Sequence, residues 1–349
     1  MGRDKKLFSF AIGNPPYQDT TIGENKTYAP PVYNSFMDEA YKVADKVELI
    51  HPARFLFNAG STPKSWNEKM LKDPHFKVLK YEEDSSKIFS NTDIKGGIVI
   101  SYHDNEENFG AIEIFTPYPQ LNAILGKVID REDFESLSDV IVTSYAYHFN
   151  ESVYEQHPDA KGSLSKGHDY DLKSNVFEKM PQVFYTEKPK TNEPMVRILG
   201  RTNNERAYRF IEEKHVNDVC NLHSYKVFLP GATGTGEFGE TIAPPIIGEP
   251  GDGATETFLS IGTLESLADA DAVIKYVKTK FARALFSILK RTQANTPGKW
   301  KYVPVQDFTA SSDIDWTKSV HDIDLQLYRK YGLNAEEVAF IETNVKEME

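Results

Sequence analysis

Apolar positions fall into short runs parted by polar turns, and the period of the pattern changes along the chain. Leu7-Phe8-Ser9-Phe10-Ala11-Ile12-Gly13 is nearly continuous apolar sequence, the pattern of a buried parallel strand. Asn14-Pro15-Pro16-Tyr17 follows, and two prolines cannot continue a ladder, so the strand stops there. Residues 18–29 are polar and predict a loop. Pro30 and Pro31 introduce a helix over about 31–45, with Val32, Phe36, Ala40 and Val43 near helical spacing. Val47-Glu48-Leu49-Ile50 predicts a strand ending at His51-Pro52, and a helix over about 63–72 and a strand at Phe76–Tyr81 come next. The last part of Asp93–Tyr102 predicts a buried strand. This alternation is half of a doubly wound α/β sheet, and half a sheet leaves an exposed edge that calls for upstream strands or a partner.

Beyond this the pattern loosens. Residues 117–135 read as a helical connector and 151–175 as a long polar surface loop. Strands are expected at Val183–Thr186, Met195–Gly200, Tyr225–Pro230 and Phe258–Gly262. Ala268–Arg291 predicts one long helix, because Val273, Val277, Phe281, Ala284, Leu285 and Ile288 recur at three- and four-residue spacing. Two further helices, about 321–331 and 335–348, are broken at Gly332. The expected fold is therefore a partial Rossmann-like α/β sheet over 1–116, the connector at 117–135, an α+β domain over 136–310 and a helical cap over 311–349.

Composition narrows the classes. The chain has 349 residues, 40% hydrophobic and 26% charged, enough for two domains with a real core. No apolar run is long enough to span a membrane. One cysteine, Cys220, excludes a disulfide framework and a cysteine metal site, and the whole fits a reducing cytoplasm. His148, His157 and His168 lack tight ligand spacing, so no metal is expected. Gly234-Thr235-Gly236-Glu237-Phe238-Gly239 matches G-x-G-x-x-G, but Pro244, Pro245 and Pro250 forbid the helix that a phosphate-binding version opens. His51, between a strand and a proline, reads as structural.

The net charge of −12 argues against a uniformly basic nucleic-acid binder. Its distribution weakens that objection. From Val273 to Lys301 every charge is positive, including Lys275, Lys278, Arg283, Lys290, Arg291 and Lys299. Gln293 and Asn295 add amides to the loop that follows the helix. A solvated helix face competes with phosphate contacts as the explanation. Arg197, Arg201, Asn203, Asn204 and Arg206 form a second polar cluster, and Arg and Asn suit guanine and adenine edges. A solvated hairpin turn competes there.

The sharpest chemistry lies at Asn14-Pro15-Pro16-Tyr17. Open α/β sheets keep their active sites just past a strand's carboxyl end. The exocyclic amine of a base is a poor nucleophile, because its lone pair is delocalised into the ring. The Asn14 side-chain oxygen and the Pro15 carbonyl can accept its hydrogens, while Pro16 stiffens the turn. Tyr17 offers a flat face for a flipped base.

Ile12-Gly13-Asn14-Pro15-Pro16-Tyr17 resembles the catalytic motif of DNA adenine-N6 methyltransferases. His51-Pro52-Ala53-Arg54-Phe55-Leu56 is similar to a second block of that family, and the rest of the chain resembles the C-terminal portion of its type IIG-like restriction–modification members. The resemblance implies methyl transfer from S-adenosylmethionine to a flipped adenine in double-stranded DNA. Tyr17 and Phe89 would stack on the base, the 18–29 loop would cover it, and a target-recognition domain would lie over 136–310. It also places the cofactor motifs upstream of the catalytic motif, where only thirteen residues stand here. The cofactor site is thus expected to be incomplete and the chain inactive alone, working with an upstream half or another restriction–modification subunit. An inactive DNA-binding specificity module, and methylation of RNA or of protein glutamine, remain open.

Overall fold

A computed structural model of the chain describes residues 6–19, 29–57, 60–90, 94–203, 205–290 and 292–349. It divides into two compact units, Met1–Asn122 and Ala123–Glu349. The fold is mixed α/β.

The first unit contains β1 (Phe8–Gly13), α1 (Tyr33–Val43), β2 (Ala44–Pro52), α2 (Lys64–Leu71), β3 (Phe76–Glu82) and β4 (Ile98–Asp104). Their sheet order is β1-β2-β4-β3. β1 and β2 are parallel, joined through α1. β4 is antiparallel to both neighbours, so β1, β2 and β3 run one way and β4 is inserted against them. The link from β3 to β4 carries only a short 3-10 turn among its described residues, Ser85–Lys87, where a parallel return would need a full crossover helix. β1 is not buried as its composition suggests. It is the edge of the sheet, with Phe8, Phe10 and Ile12 exposed to 57, 47 and 74%.

α1 also turns differently from its expected face. Tyr33 and Met37 enter the core while Phe36 stays out, so the inward stripe runs one position later than 32, 36, 40, 43. Its Tyr33 packs on Phe55 and Trp66, with Met70 and Phe76 completing the cluster.

α3 (Pro119–Ile129) spans the division. The second unit continues through β5 (Ile141–Val142), α4 (Ser152–Gln156), α5 (Val176–Lys179), β6 (Met195–Thr202), β7 (Glu205–Glu212), β8 (Tyr225–Pro230), β9 (Ile246–Gly248), β10 (Asp252–Ala254) and β11 (Phe258–Leu264). It closes with α6 (Leu267–Lys278), α7 (Lys280–Leu289), α8 (Val320–Lys330) and α9 (Ala335–Asn344). One sheet has the order β10-β6-β7 and a second β5-β11-β8-β9. The expected strand at Val183–Thr186 is instead a 3-10 turn at Pro181–Val183, followed by one bridge from Tyr185 to Phe210. The stretch 151–175 is not a surface loop. It sends Val153, Ala160, Leu164 and Leu172 into the core, too few apolar residues to show a period.

The expected single helix over 268–291 is two. Thr279 has ψ 148°, its N–H donates to Tyr276 O, and its hydroxyl accepts from Ala282 N at 3.1 Å to cap α7. The break frees main-chain groups on both sides. Arg283 Nε donates to Lys278 O at 3.0 Å, and the Asp324 carboxylate accepts from Lys280 N and Phe281 N, both at 2.9 Å. Burial pushes the Asp324 pKa up to about 6 against the pull of these two amides.

The glycine-rich stretch at 234–239 wraps a carboxylate of its own chain. Thr235 N and Gly236 N donate to Glu240 at 2.6 and 2.9 Å, and the buried Lys290 ammonium pairs with the same group. Burial alone would raise the Glu240 pKa, but Lys290 and the two amides outweigh it and hold the group at about 2. The folded value lies below the unfolded 4.5, so this stability is complete above about pH 4.5 and is lost as pH falls toward 2. Glu240→Gln leaves Lys290 buried and unpaired, at an expected cost of about 3 kcal/mol at pH 7. Thermal unfolding across pH checks it: the gap to wild type narrows between about pH 4.5 and 2, and a pH-independent gap contradicts it.

Candidate active site and nucleic-acid interface

The Asn14-Pro15-Pro16-Tyr17 turn leaves the carboxyl end of β1, which pairs Gly13 with Leu49 of β2. Asn14 is exposed, and its side chain makes no hydrogen bond among the described residues. The chain after it is stapled. Val32 N donates to Tyr17 O at 3.2 Å and Asp19 N to Pro30 O at 2.9 Å, around an isolated bridge from Gln18 to Pro31. These contacts join the two ends of the expected covering loop, of which residues 20–28 lie outside the described residues. Tyr17 is half-buried against the first unit's core, and burial pushes its hydroxyl up to about 12.

Tyr17 lines a cleft of about 410 Å³. Tyr33, Pro31 and Pro52 give it apolar walls, Thr62 and Ser61 give hydroxyls, and Arg54 and Lys95 give charge. No carboxylate is among its described lining residues. Asn14 and Phe89 are not among them either. Phe89 follows the 3-10 turn after β3, where its N–H donates to Ser85 O at 2.9 Å, and it is half-buried. His51 lies beneath, fully buried, with Nε2 2.7 Å from Ser101 Oγ and its ring stacked on Tyr33. Burial drives its pKa down to about 4, so it is a neutral core residue. Arg54 and Lys95 carried no periodic signal in the sequence. Only the folded chain shows that they face one space.

In the second unit the basic helix turns inward. Arg283 is fully buried and donates to the carbonyls of Lys278, Glu240 and Lys346. Lys290 is buried on Glu240. Lys275 donates to Trp316 O, Lys278 to a main-chain oxygen of Glu349 and Lys299 to Leu289 O, each at 2.8 Å. Asn295 is buried too, donating to Pro230 O at 3.0 Å and accepting from Trp300 Nε1 at 2.8 Å. These residues close helix ends and brace loops, as cations near exposed carbonyls do. The buried Arg283, Lys290 and Asn295 therefore do not form the expected DNA surface. Gln293 remains exposed, and Arg291 lies outside the described residues.

The β6–β7 hairpin is different. Arg197 at its base is spent on Asp252, with Nε–Oδ1 at 2.8 Å and Nη2–Oδ2 at 2.7 Å. At its tip Arg201 and Arg206 are directly cross-strand partners and both are exposed. Arg206 donates to Pro244 O at 3.2 Å, and neither arginine meets a carboxylate among the described residues. Like charges directly opposite destabilise a hairpin. Asn203 sits in the turn with φ 52°, and Asn204 lies outside the described residues.

Residues 2–89 match the family model described as Eco57I restriction-modification methylase. The matched stretch contains Asn14–Tyr17, Arg54 and Phe89. No curated protein matches the chain. Among solved structures, one of the type IIL restriction-modification enzyme MmeI in complex with DNA is similar at a TM-score of 0.35 and 9% identity. The alignment covers 96% of this chain and 56% of that one, so the chain spans little more than half the length of that relative.

Proposed function

We propose that this chain supplies the catalytic turn and the target-reading part of a DNA adenine-N6 methyltransferase of a restriction–modification system. The observation that carries this is the exposed Asn14 amide, with no hydrogen-bond partner among the described residues, at the carboxyl end of a parallel strand and inside the stretch that matches a methylase family. Asn14 Oδ1 and Pro15 O accept the two hydrogens of the target amine, which localises its lone pair on nitrogen. Tyr17 takes one face of the flipped adenine and Phe89 the other. Double-stranded DNA is the partner, gripped in part by Arg201, Asn203 and Arg206 at the β6–β7 tip. The charge of Arg201 and Arg206, which no carboxylate among the described residues neutralises, favours this assignment over a solvated turn.

S-adenosylmethionine is the methyl donor that such a family implies. The described lining of the cleft beside Tyr17 does not fit it: a sulfonium is a cation, and the described lining residues include the cations Arg54 and Lys95 and no carboxylate. The donor is held by other residues, an upstream methyltransferase half or another subunit among them. The same mismatch favours, as second reading, an inactive DNA-binding specificity module serving a separate methyltransferase chain.

Transfer of labelled methyl from S-adenosylmethionine to mixed-sequence DNA separates the readings. Adenine labelled by this chain alone removes the need for another half. Label that appears only when the cofactor-binding half is added supports the leading reading, and DNA binding without label under either condition supports the specificity module. In the active enzyme, Asn14→Ala is expected to lower methyl transfer by about 10²–10³-fold or more with DNA affinity nearly unchanged; equal loss of both counts against the role. Arg201→Ala and Arg206→Ala are each expected to flatten the slope of log affinity against log salt by about 1. Lys299→Ala, which uncaps α7, lowers the melting temperature and leaves that slope alone.

A further inference from the structure

The cleft beside the catalytic turn is built to fix a cation. Arg54 opens the short turn Arg54–Phe57, whose Phe55 and Leu56 are 0 and 2% exposed, so its main chain is pinned to the core. Its aliphatic stem lies close against two glycines. Gly60 has φ +90° and Gly96 φ +88°, conformations that other residues rarely adopt. A Cβ on Gly96 would stand 2.6 Å from Arg54 Cγ, and one on Gly60 3.2 Å from Arg54 Cβ. The stem thus runs close against two glycine backbones while the residue remains exposed and lines the cleft.

No carboxylate neutralises Arg54 or Lys95 among the described residues, although carboxylates outnumber cations in the chain, 52 to 40. A guanidinium fork on a braced stem, with no carboxylate partner among the described residues, matches the oxygens of a phosphate. Two tyrosines and two prolines on the same cleft suit a flat ring. An anion and a planar ring in one cleft describe one nucleotide unit.

We propose that Arg54, with Lys95, binds the phosphate of the flipped nucleotide and so fixes how far its base enters the site. This deepens the adenine-methylation reading and rests on it. It adds an ionic contact to the target strand that is independent of the base-reading residues of the second unit.

The full chain is titrated by ligand-observed NMR with deoxyadenosine 5′-monophosphate, deoxyadenosine and inorganic phosphate. The monophosphate is expected to bind about ten-fold or more tightly than the nucleoside, the size of one charge-assisted bidentate contact. Arg54→Gln removes that advantage and leaves nucleoside affinity unchanged, while Arg54→Lys keeps part of it. An unchanged melting temperature shows that Arg54→Gln is folded. Equal affinity for nucleotide and nucleoside, or an advantage that survives Arg54→Gln, overturns the phosphate site and leaves the Asn14 role standing. Inorganic phosphate binding as tightly as the nucleotide overturns the nucleotide assignment in favour of a free-anion site. No binding of either adenine ligand overturns the proposal, and the methylation reading is then decided separately by labelled-methyl transfer.

Discussion

A helix broken inside a core must find partners for the groups it frees, and the second unit is arranged around one such break. At Thr279 the chain leaves α6 and starts α7. Carbonyls are freed on one side and amides on the other, and each orphaned group would cost about 1–3 kcal/mol if left unpaired. Arg283 takes the carbonyl side and Asp324, from α8, the amide side. Arg283 then reaches Glu240 O, beside the carboxylate that fixes the glycine-rich stretch and pairs with Lys290. The C-terminal helices, the 234–239 stretch and the two central helices thus share one chain of polar contacts.

That constraint explains why a run of positive charge was a poor guide to a DNA surface. Sequence shows where cations lie but not which main-chain groups need them. Lys299 and Arg283 have the composition of a phosphate-binding face and the role of helix caps. The cross-strand pair Arg201–Arg206 differs from these, because no carboxylate among the described residues offsets it. Its visibility depends on register, which spacing alone does not fix.

Much of the first unit was legible because its signals are local. The proline pairs at 15–16 and 30–31 end one element and open the next, and the apolar runs of β2 and β4 match their buried stretches. β8 at Tyr225–Pro230 likewise follows its apolar run. The direction of β4, the exposure of β1 and the inward face of α1 depend on neighbours distant in sequence. So does the cleft: Tyr17 and its proline turn announced themselves, whereas Arg54, visible in the sequence only as part of a family-like block, gains its place on the cleft when Gly60 and Gly96 are seen against its stem. The interruption at Thr279 was hidden for the opposite reason, since the apolar stripe continues across it in helical register.

The bare edge of β1 also governs how copies of this chain meet. Leu7, Phe8, Phe10 and Ile12 carry no charge and flank a row of main-chain groups with no neighbour among the described residues. Such an edge is adhesive at contact distance. The whole chain, at −12, repels its copies over the Debye length, about 30 Å in 0.01 M salt and about 8 Å at physiological ionic strength. The two ranges oppose each other: dilute buffer keeps the edges apart, and added salt removes the barrier without weakening the adhesion. Colloidal stability of this chain, taken alone, therefore falls as ionic strength rises.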